Sequence, residues 1–188
     1  MRIIGGLLRG KRLSSPPDRS IRPTSERARE ALFNILDHAG LIAESRFLDL
    51  FCGTGAVGLE AFSRGASEVW LIDQDTNLAR ANIEGLGRPD AVRAKAMDAG
   101  SLGAPPCRFD VVFMDPPYRS GLAAPALSAL GGGWLAKDAL IVVELAAKER
   151  LDHPASFEVE QDRRYGAARL VFLRLMDDEE RAGSSGLS

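Results

Sequence analysis

Two cysteines, Cys52 and Cys107, and two histidines, His38 and His153, are all that this 188-residue chain offers in soft metal ligands. They stand apart with no paired spacing, which excludes a disulfide framework and argues against a metal centre. Neither histidine has a partner at triad spacing, and Cys52 beside Gly53 reads as a small residue of a cofactor loop, not a nucleophile. No apolar run approaches the ~20 residues of a membrane span. Met1 opens no signal-peptide pattern, so a cytoplasmic protein with neither membrane nor metal partner is expected.

The net charge of −2 conceals an asymmetry. Residues 1–29 carry Arg2, Arg9, Lys11, Arg12, Arg19, Arg22, Arg27 and Arg29 against Asp18 and Glu26, leaving −8 on the remainder. A basic segment on an acidic body points to local polyanion contact, because Lys and Arg dominate phosphate binding. A solvated basic face is the alternative.

Three segments follow from composition. Residues 1–23 form a basic hairpin or arm around Gly5, Gly6 and Gly10, ending in a proline-rich loop. Residues 24–176 form the body, and 177–188, polar and aperiodic, a flexible tail. The body opens on a helix capped by Thr24 or Ser25, with Ala28, Ala31, Leu32, Ile35 and Leu36 on its apolar face and Arg27, Arg29 and Glu30 off it, free for solvent or ligand. From Arg46 strand and helix signals alternate: strands at 47–51, 68–73, 91–96, 110–114 and 139–144, helices at 56–64, 76–86 and 124–130. Two further strands, 157–164 and 168–175, are joined by a connection short enough only for an antiparallel hairpin. Alternation of this kind specifies an α/β fold with a doubly wound, Rossmann-like parallel sheet.

Chemistry gathers after the first four strands. The first leads into Gly53, Gly55 and Gly58 at G-x-G-x-x-G spacing, and Asp73 ends the second strand twenty residues after Gly53, placed to accept from both hydroxyls of a ribose. Together they imply a nucleoside-bearing cofactor. Asp49 would repel a pyrophosphate but could accept from the amino group of a methionine moiety, which favours S-adenosylmethionine over a nicotinamide dinucleotide. After the third strand, Asp98 and the Ala99 backbone N–H are placed for an adenine ring.

The fourth strand, DVVFM, is a continuous apolar run stopped by Asp115-Pro116-Pro117-Tyr118. A nucleobase amino group is a poor nucleophile whose lone pair is delocalised into the ring, so it has to be oriented. Asp115 can accept one N–H and the Pro116 carbonyl the other, directing the nitrogen at a sulfonium methyl. Tyr118 offers a face for stacking, worth roughly 1–3 kcal/mol per base. Arg119 could meet a phosphate at the mouth of the site.

These residues, with RIIGG and RGKRL at the N-terminus, RPTSERAREALFNIL at 22–36, FLDLFCGTGAVGLEAFSRGA, GWLAKDALIVVE at 133–144 and the Tyr165-Gly166 hairpin, resemble the RsmD family of 16S ribosomal RNA guanine-N2 methyltransferases. The resemblance implies a seven-stranded sheet with its last strand antiparallel, S-adenosylmethionine as cofactor, and as partner 16S rRNA or a small-subunit assembly intermediate; the chain is expected to act as a monomer. It gives the basic segment, with Arg9, Lys11 and Arg12, a role in gripping rRNA, and makes Arg22 and Thr24 of the RPT segment candidates for binding. Asp73 stands where relatives often have Glu, a change that still reaches a ribose, and little leader precedes the basic arm.

Other readings remain on the residues alone. Asp-Pro-Pro-Tyr serves any planar amino group, so an adenine-N6 methyltransferase acting on DNA or another RNA is the alternative, although no target-recognition insertion is visible. A nicotinamide-dependent oxidoreductase is opposed by Asp49, and a non-enzymatic assembly factor by the intact Asp115 and glycine loop.

Overall fold

A computed structural model describes residues 1–15 and 26–176. After a hairpin at 1–13, the elements run α1 (Glu26–His38), β1 (Arg46–Leu50), α2 (Ala56–Ser63), β2 (Glu68–Asp73), α3 (Asn77–Gly85), β3 (Val92–Ala96), β4 (Phe109–Met114), α4 (Ala123–Leu130), β5 (Leu135–Ala146), β6 (Phe157–Tyr165) and β7 (Ala168–Leu175). The strands form one seven-stranded sheet in the order β3-β2-β1-β4-β5-β7-β6. β1 to β5 are mutually parallel, and β7 is antiparallel to both of its neighbours. This is the expected Rossmann-like α/β architecture. Among the described residues no helix is long and apolar enough to cross a membrane.

The central strands carry apolar residues at successive positions because both faces are covered. Alternate residues supply opposite cores: Phe47, Val111, Phe113 and Val142 pack with α1, α2 and α3, while Leu48, Val112, Met114 and Ile141 pack with α4 and Trp134. Each such fully buried side chain contributes about 1.5–3 kcal/mol. Trp134 stacks on Phe109 at 5.9 Å and donates its indole N–H to the Gly103 carbonyl at 2.9 Å, so neither its apolar ring nor its polar edge is stranded.

Strand β5 is twelve residues long, starting at Leu135 and not, as the sequence implied, at Ala139. Its first part reads as a loop because the polar pair Lys137-Asp138 interrupts the apolar run. Asp138 takes a positive φ of 61° and the pairing slips, Leu135 facing Phe109 and Leu140 facing Val111.

Of the hairpin or arm read from the N-terminal glycines, the structure shows the hairpin. Ile3 N–H donates to the Lys11 carbonyl at 3.0 Å and Leu13 N–H to Met1 at 3.0 Å, closing a hairpin whose Ile3 and Leu13 side chains are buried. The fully buried Glu60 of α2 accepts Ile4 N–H and Gly5 N–H, each at 2.7 Å, and Arg64 Nε at 2.8 Å. Leu7 N–H donates to the Ser63 carbonyl at 2.7 Å. A Cβ on Gly6, whose φ is +72°, would lie 1.8 Å from that carbonyl oxygen, so glycine is required for this approach.

The same seat corrects one expectation. Arg29 is not free for solvent or ligand but wholly buried, donating Nη2 to the Arg2 carbonyl at 2.7 Å. The hairpin covers that side of α1, which helical periodicity alone could not anticipate. Burial pushes the guanidinium below its usual pKa while the nearby Glu60 charge opposes the shift; its Nε and Nη1 find no acceptor among the described residues.

Candidate active site at the carboxyl edge of the sheet

Beyond the ends of the strands, single backbone hydrogen bonds continue the ladders and draw the connecting loops together. Cys52 N–H donates to the Ile72 carbonyl at 3.1 Å, Met97 N–H to Asp73 at 2.9 Å and Asp115 N–H to Leu50 at 3.3 Å. The glycine loop, Asp73, the Asp98-Ala99 segment and the Asp115 segment therefore share one edge of the sheet, where α/β folds bind ligands.

Phe51, Gly53 and Gly55 have φ of 59°, 50° and 75°, turning the chain sharply from β1 into α2. Nothing lies within 4 Å of where a Gly53 Cβ would be, so the main chain there is open to close approach. Gly58 has the opposite constraint: a Cβ would sit 2.2 Å from Leu71 Cδ2 and 3.3 Å from Asp49 Cβ, so its absence lets α2 lie directly on β1 and β2.

Asp49 is buried and accepts the Gly58 N–H on Oδ2 at 2.9 Å. Burial pushes its carboxyl up to about 7; the Gly58 bond opposes this and the charge of Asp73 adds to it. Asp73 is half-buried, one oxygen taking Gly53 N–H at 2.8 Å, so it braces the glycine loop besides facing the edge. Burial, then Asp49 and Asp73, push the Cys52 thiol far up, consistent with an inert residue.

Asp98 is exposed and accepts Gly100 N–H at 2.9 Å, folding its own turn, while Ala99 is buried beside it. At the end of β4, Asp115 and Tyr118 are half-buried and Pro116 buried. The chain reverses through a turn closed by Ser120 N–H to the Pro117 carbonyl at 3.1 Å, with Arg119 at φ 57°. Arg119 N–H donates to Glu149 Oε1 at 2.7 Å, an anchor from the segment after β5 that no sequence signal marks.

The exposed Arg9, Lys11 and Arg12 lie along the hairpin, Arg12 paired with Arg2 toward its open end and Arg9 toward its tip. The hairpin lies along α2 with its open end near the glycine loop, where Met1 Sδ meets Thr54 Oγ1 at 4.0 Å, and its tip at Ser63. Arg9 thus sits about 12 Å away, the length of an eight-residue helix. Arg22 and Thr24 lie outside the described residues. Asn82, absent from the sequence-derived candidates, ties hairpin to glycine loop by donating to the Thr54 carbonyl at 2.9 Å and accepting Ser14 N–H at 2.7 Å. An Asn inside a helix carries no signal of such a role. Among the described residues no group of three or more His, Cys, Asp or Glu is placed to hold a metal.

Comparison with known proteins places this geometry. The model of the family described as "Conserved hypothetical protein 95" matches residues 1–174. The chain is 37% identical over 171 residues to "Ribosomal RNA small subunit methyltransferase D" of Escherichia coli strain K12, covering 87% of this chain and 84% of that protein. It is 34% identical to the Haemophilus influenzae protein of the same name, covering 88% and 89%. Among solved structures, the presumed methyltransferase yhhF of Escherichia coli superposes with a TM-score of 0.80 at 35% identity, over 93% of this chain and 97% of the other.

Proposed function

Since the chain belongs to the RsmD family of small-subunit ribosomal RNA methyltransferases, we propose that it methylates the exocyclic N2 of a guanine in 16S rRNA, using S-adenosylmethionine. The observation that carries this reading is the Asp115–Tyr118 turn held beside the glycine loop by the bond from Asp115 N–H to the Leu50 carbonyl.

The residues at the edge fit the cofactor. Gly53 leaves the main chain open, Asp73 offers a half-buried carboxylate for the ribose, and Asp98 with the Ala99 N–H suits the adenine. Asp49 holds a costly buried charge that a cationic amino group would relieve. Bound there, S-adenosylmethionine supplies an electrophilic methyl group on a sulfonium. Asp115 and the Pro116 carbonyl accept the two N–H bonds of the guanine amine and turn its lone pair toward that methyl, and the Asp115 carboxylate stabilises the positive charge developing on N2. Tyr118 stacks on the base once it leaves its helix. Arg119 meets phosphate next to the target, and Arg9, Lys11 and Arg12 meet rRNA along the hairpin; Arg22 and Thr24 are, from the resemblance, further candidates for binding substrate.

The test is methylation of small subunits from a strain lacking the modification, with the product nucleoside identified by mass spectrometry. One N2-methylguanine should appear. Asp115→Ala should lower kcat by at least 100-fold with cofactor affinity little changed, in line with loss of an orienting acceptor. Methyl groups on adenine N6, or full activity of D115A, would overturn the reading.

A further inference from the structure

We propose that Glu149 is a positioning residue: it locks the peptide between Tyr118 and Arg119 in the orientation that presents Tyr118 to the target base. This rests on the catalytic role given above to Asp115 and Tyr118.

The turn from Pro117 to Ser120 has Tyr118 and Arg119 at its two central positions. The peptide between them can take two orientations about 180° apart, and a positive φ at the second central residue marks the less common one, which glycine prefers. Arg119 occupies it with φ 57°. An L side chain there is strained, so an outside contact has to hold the turn.

Glu149 supplies that contact at the atom that matters. Its Oε1 accepts Arg119 N–H, the N–H of the central peptide, at 2.7 Å. A flipped peptide would point this N–H away and lose a charge-assisted hydrogen bond. Glu149 is itself fixed from two sides. Its Oε2 takes Ala146 N–H at 3.3 Å, and its carbonyl takes Arg169 Nη1 from β7 at 2.5 Å. Arg169 in turn forks onto Asp162 of β6 at 2.8 and 2.5 Å. The outer antiparallel hairpin is thereby braced against the catalytic turn.

A purely local role, closing the turn in which Glu149 N–H meets the Ala146 carbonyl at 2.9 Å, makes a different prediction, and a mutant cycle separates the two. Glu149→Ala should lower kcat on unmethylated small subunits about tenfold, with the Kd for S-adenosylmethionine within twofold of wild type by calorimetry. Arg119→Gly removes the strain, because glycine adopts a positive φ freely. In that background the same Glu149→Ala change should cost threefold or less in kcat. Glu149→Gln, whose amide oxygen can still accept Arg119 N–H, should stay within threefold of wild type. If E149A does not fold, the cycle is run with Glu149→Asp, which withdraws the carboxylate by one methylene, and the same outcomes decide.

Wild-type kcat in E149A, or an equal loss in both backgrounds, overturns the proposal. D115A is assayed alongside: if it is inactive while E149A is unaffected, only the role of Glu149 falls, whereas a fully active D115A removes the catalytic turn on which the proposal rests.

Discussion

Replacing Asp49 by Asn separates what this residue costs the free protein from what it does for a ligand. Its carboxyl is buried and pushed up to about 7, chiefly by desolvation. Compared with an ordinary aspartate near 4, the ionised form costs on the order of 4 kcal/mol above pH 7. Asn keeps an oxygen for the Gly58 N–H, which now donates to Asp49 Oδ2 at 2.9 Å, but adds an amide group that has to be housed. The free D49N protein should therefore be about 2–4 kcal/mol more stable than wild type at pH 8. The sign with pH follows from the raised folded pKa. The wild-type fold retains this proton after the unfolded chain has lost it, so stability is fully present below about pH 4, is lost as pH rises to 7, and is level beyond. The advantage of the variant should grow over that window and disappear at its acid end. Urea unfolding of both proteins between pH 4 and 8.5 measures it. Saturating S-adenosylmethionine should narrow this difference by about 1.4–2.7 kcal/mol, with affinity falling roughly 10- to 100-fold on loss of a charged acceptor. A stability difference independent of pH, or a variant less stable than wild type at pH 8, would refute the reasoning.

Two further perturbations address the hairpin. Glu60→Gln removes the carboxylate that faces Ile4 N–H, Gly5 N–H and Arg64 Nε and that opposes the charge of buried Arg29; it should cost about 3–5 kcal/mol, read as a lower urea midpoint with early amide exchange at residues 3–13. Replacing Arg9, Lys11 and Arg12 together by Ala leaves exposed positions exposed, so the melting temperature should hold. The slope of log affinity for rRNA against log salt should fall by about 2, and an unchanged slope would remove these three residues from the RNA contact.

The parallel sheet was legible because its strands are short, largely apolar runs alternating with helical patterns, and because an acid stands at or next to the carboxyl end of β1, β2 and β4. Local chemistry sufficed to place Asp49, Asp73 and Asp115 at the carboxyl ends of their strands. What could not be read was every feature that depends on a partner distant in sequence. Arg29 looked free because periodicity describes a helix, not what lies over it. Gly5 and Gly6 marked a hairpin or arm but gave no sign that Ser63 and Arg64 approach so closely that glycine is required there. Glu149 lies thirty residues from the peptide it holds, in a segment with no motif.

The seating of the hairpin also bears on how the chain is assembled. Ile4 and Gly5 bond to a side chain 56 and 55 residues onward, and Ser14 to one 68 residues onward. During synthesis the hairpin residues cannot be placed until α2 and α3 have followed them and packed on the sheet. The hairpin is thus made before the helices that hold it but fastened only after them, and the basic surface it carries takes its final position only when the glycine loop is already built.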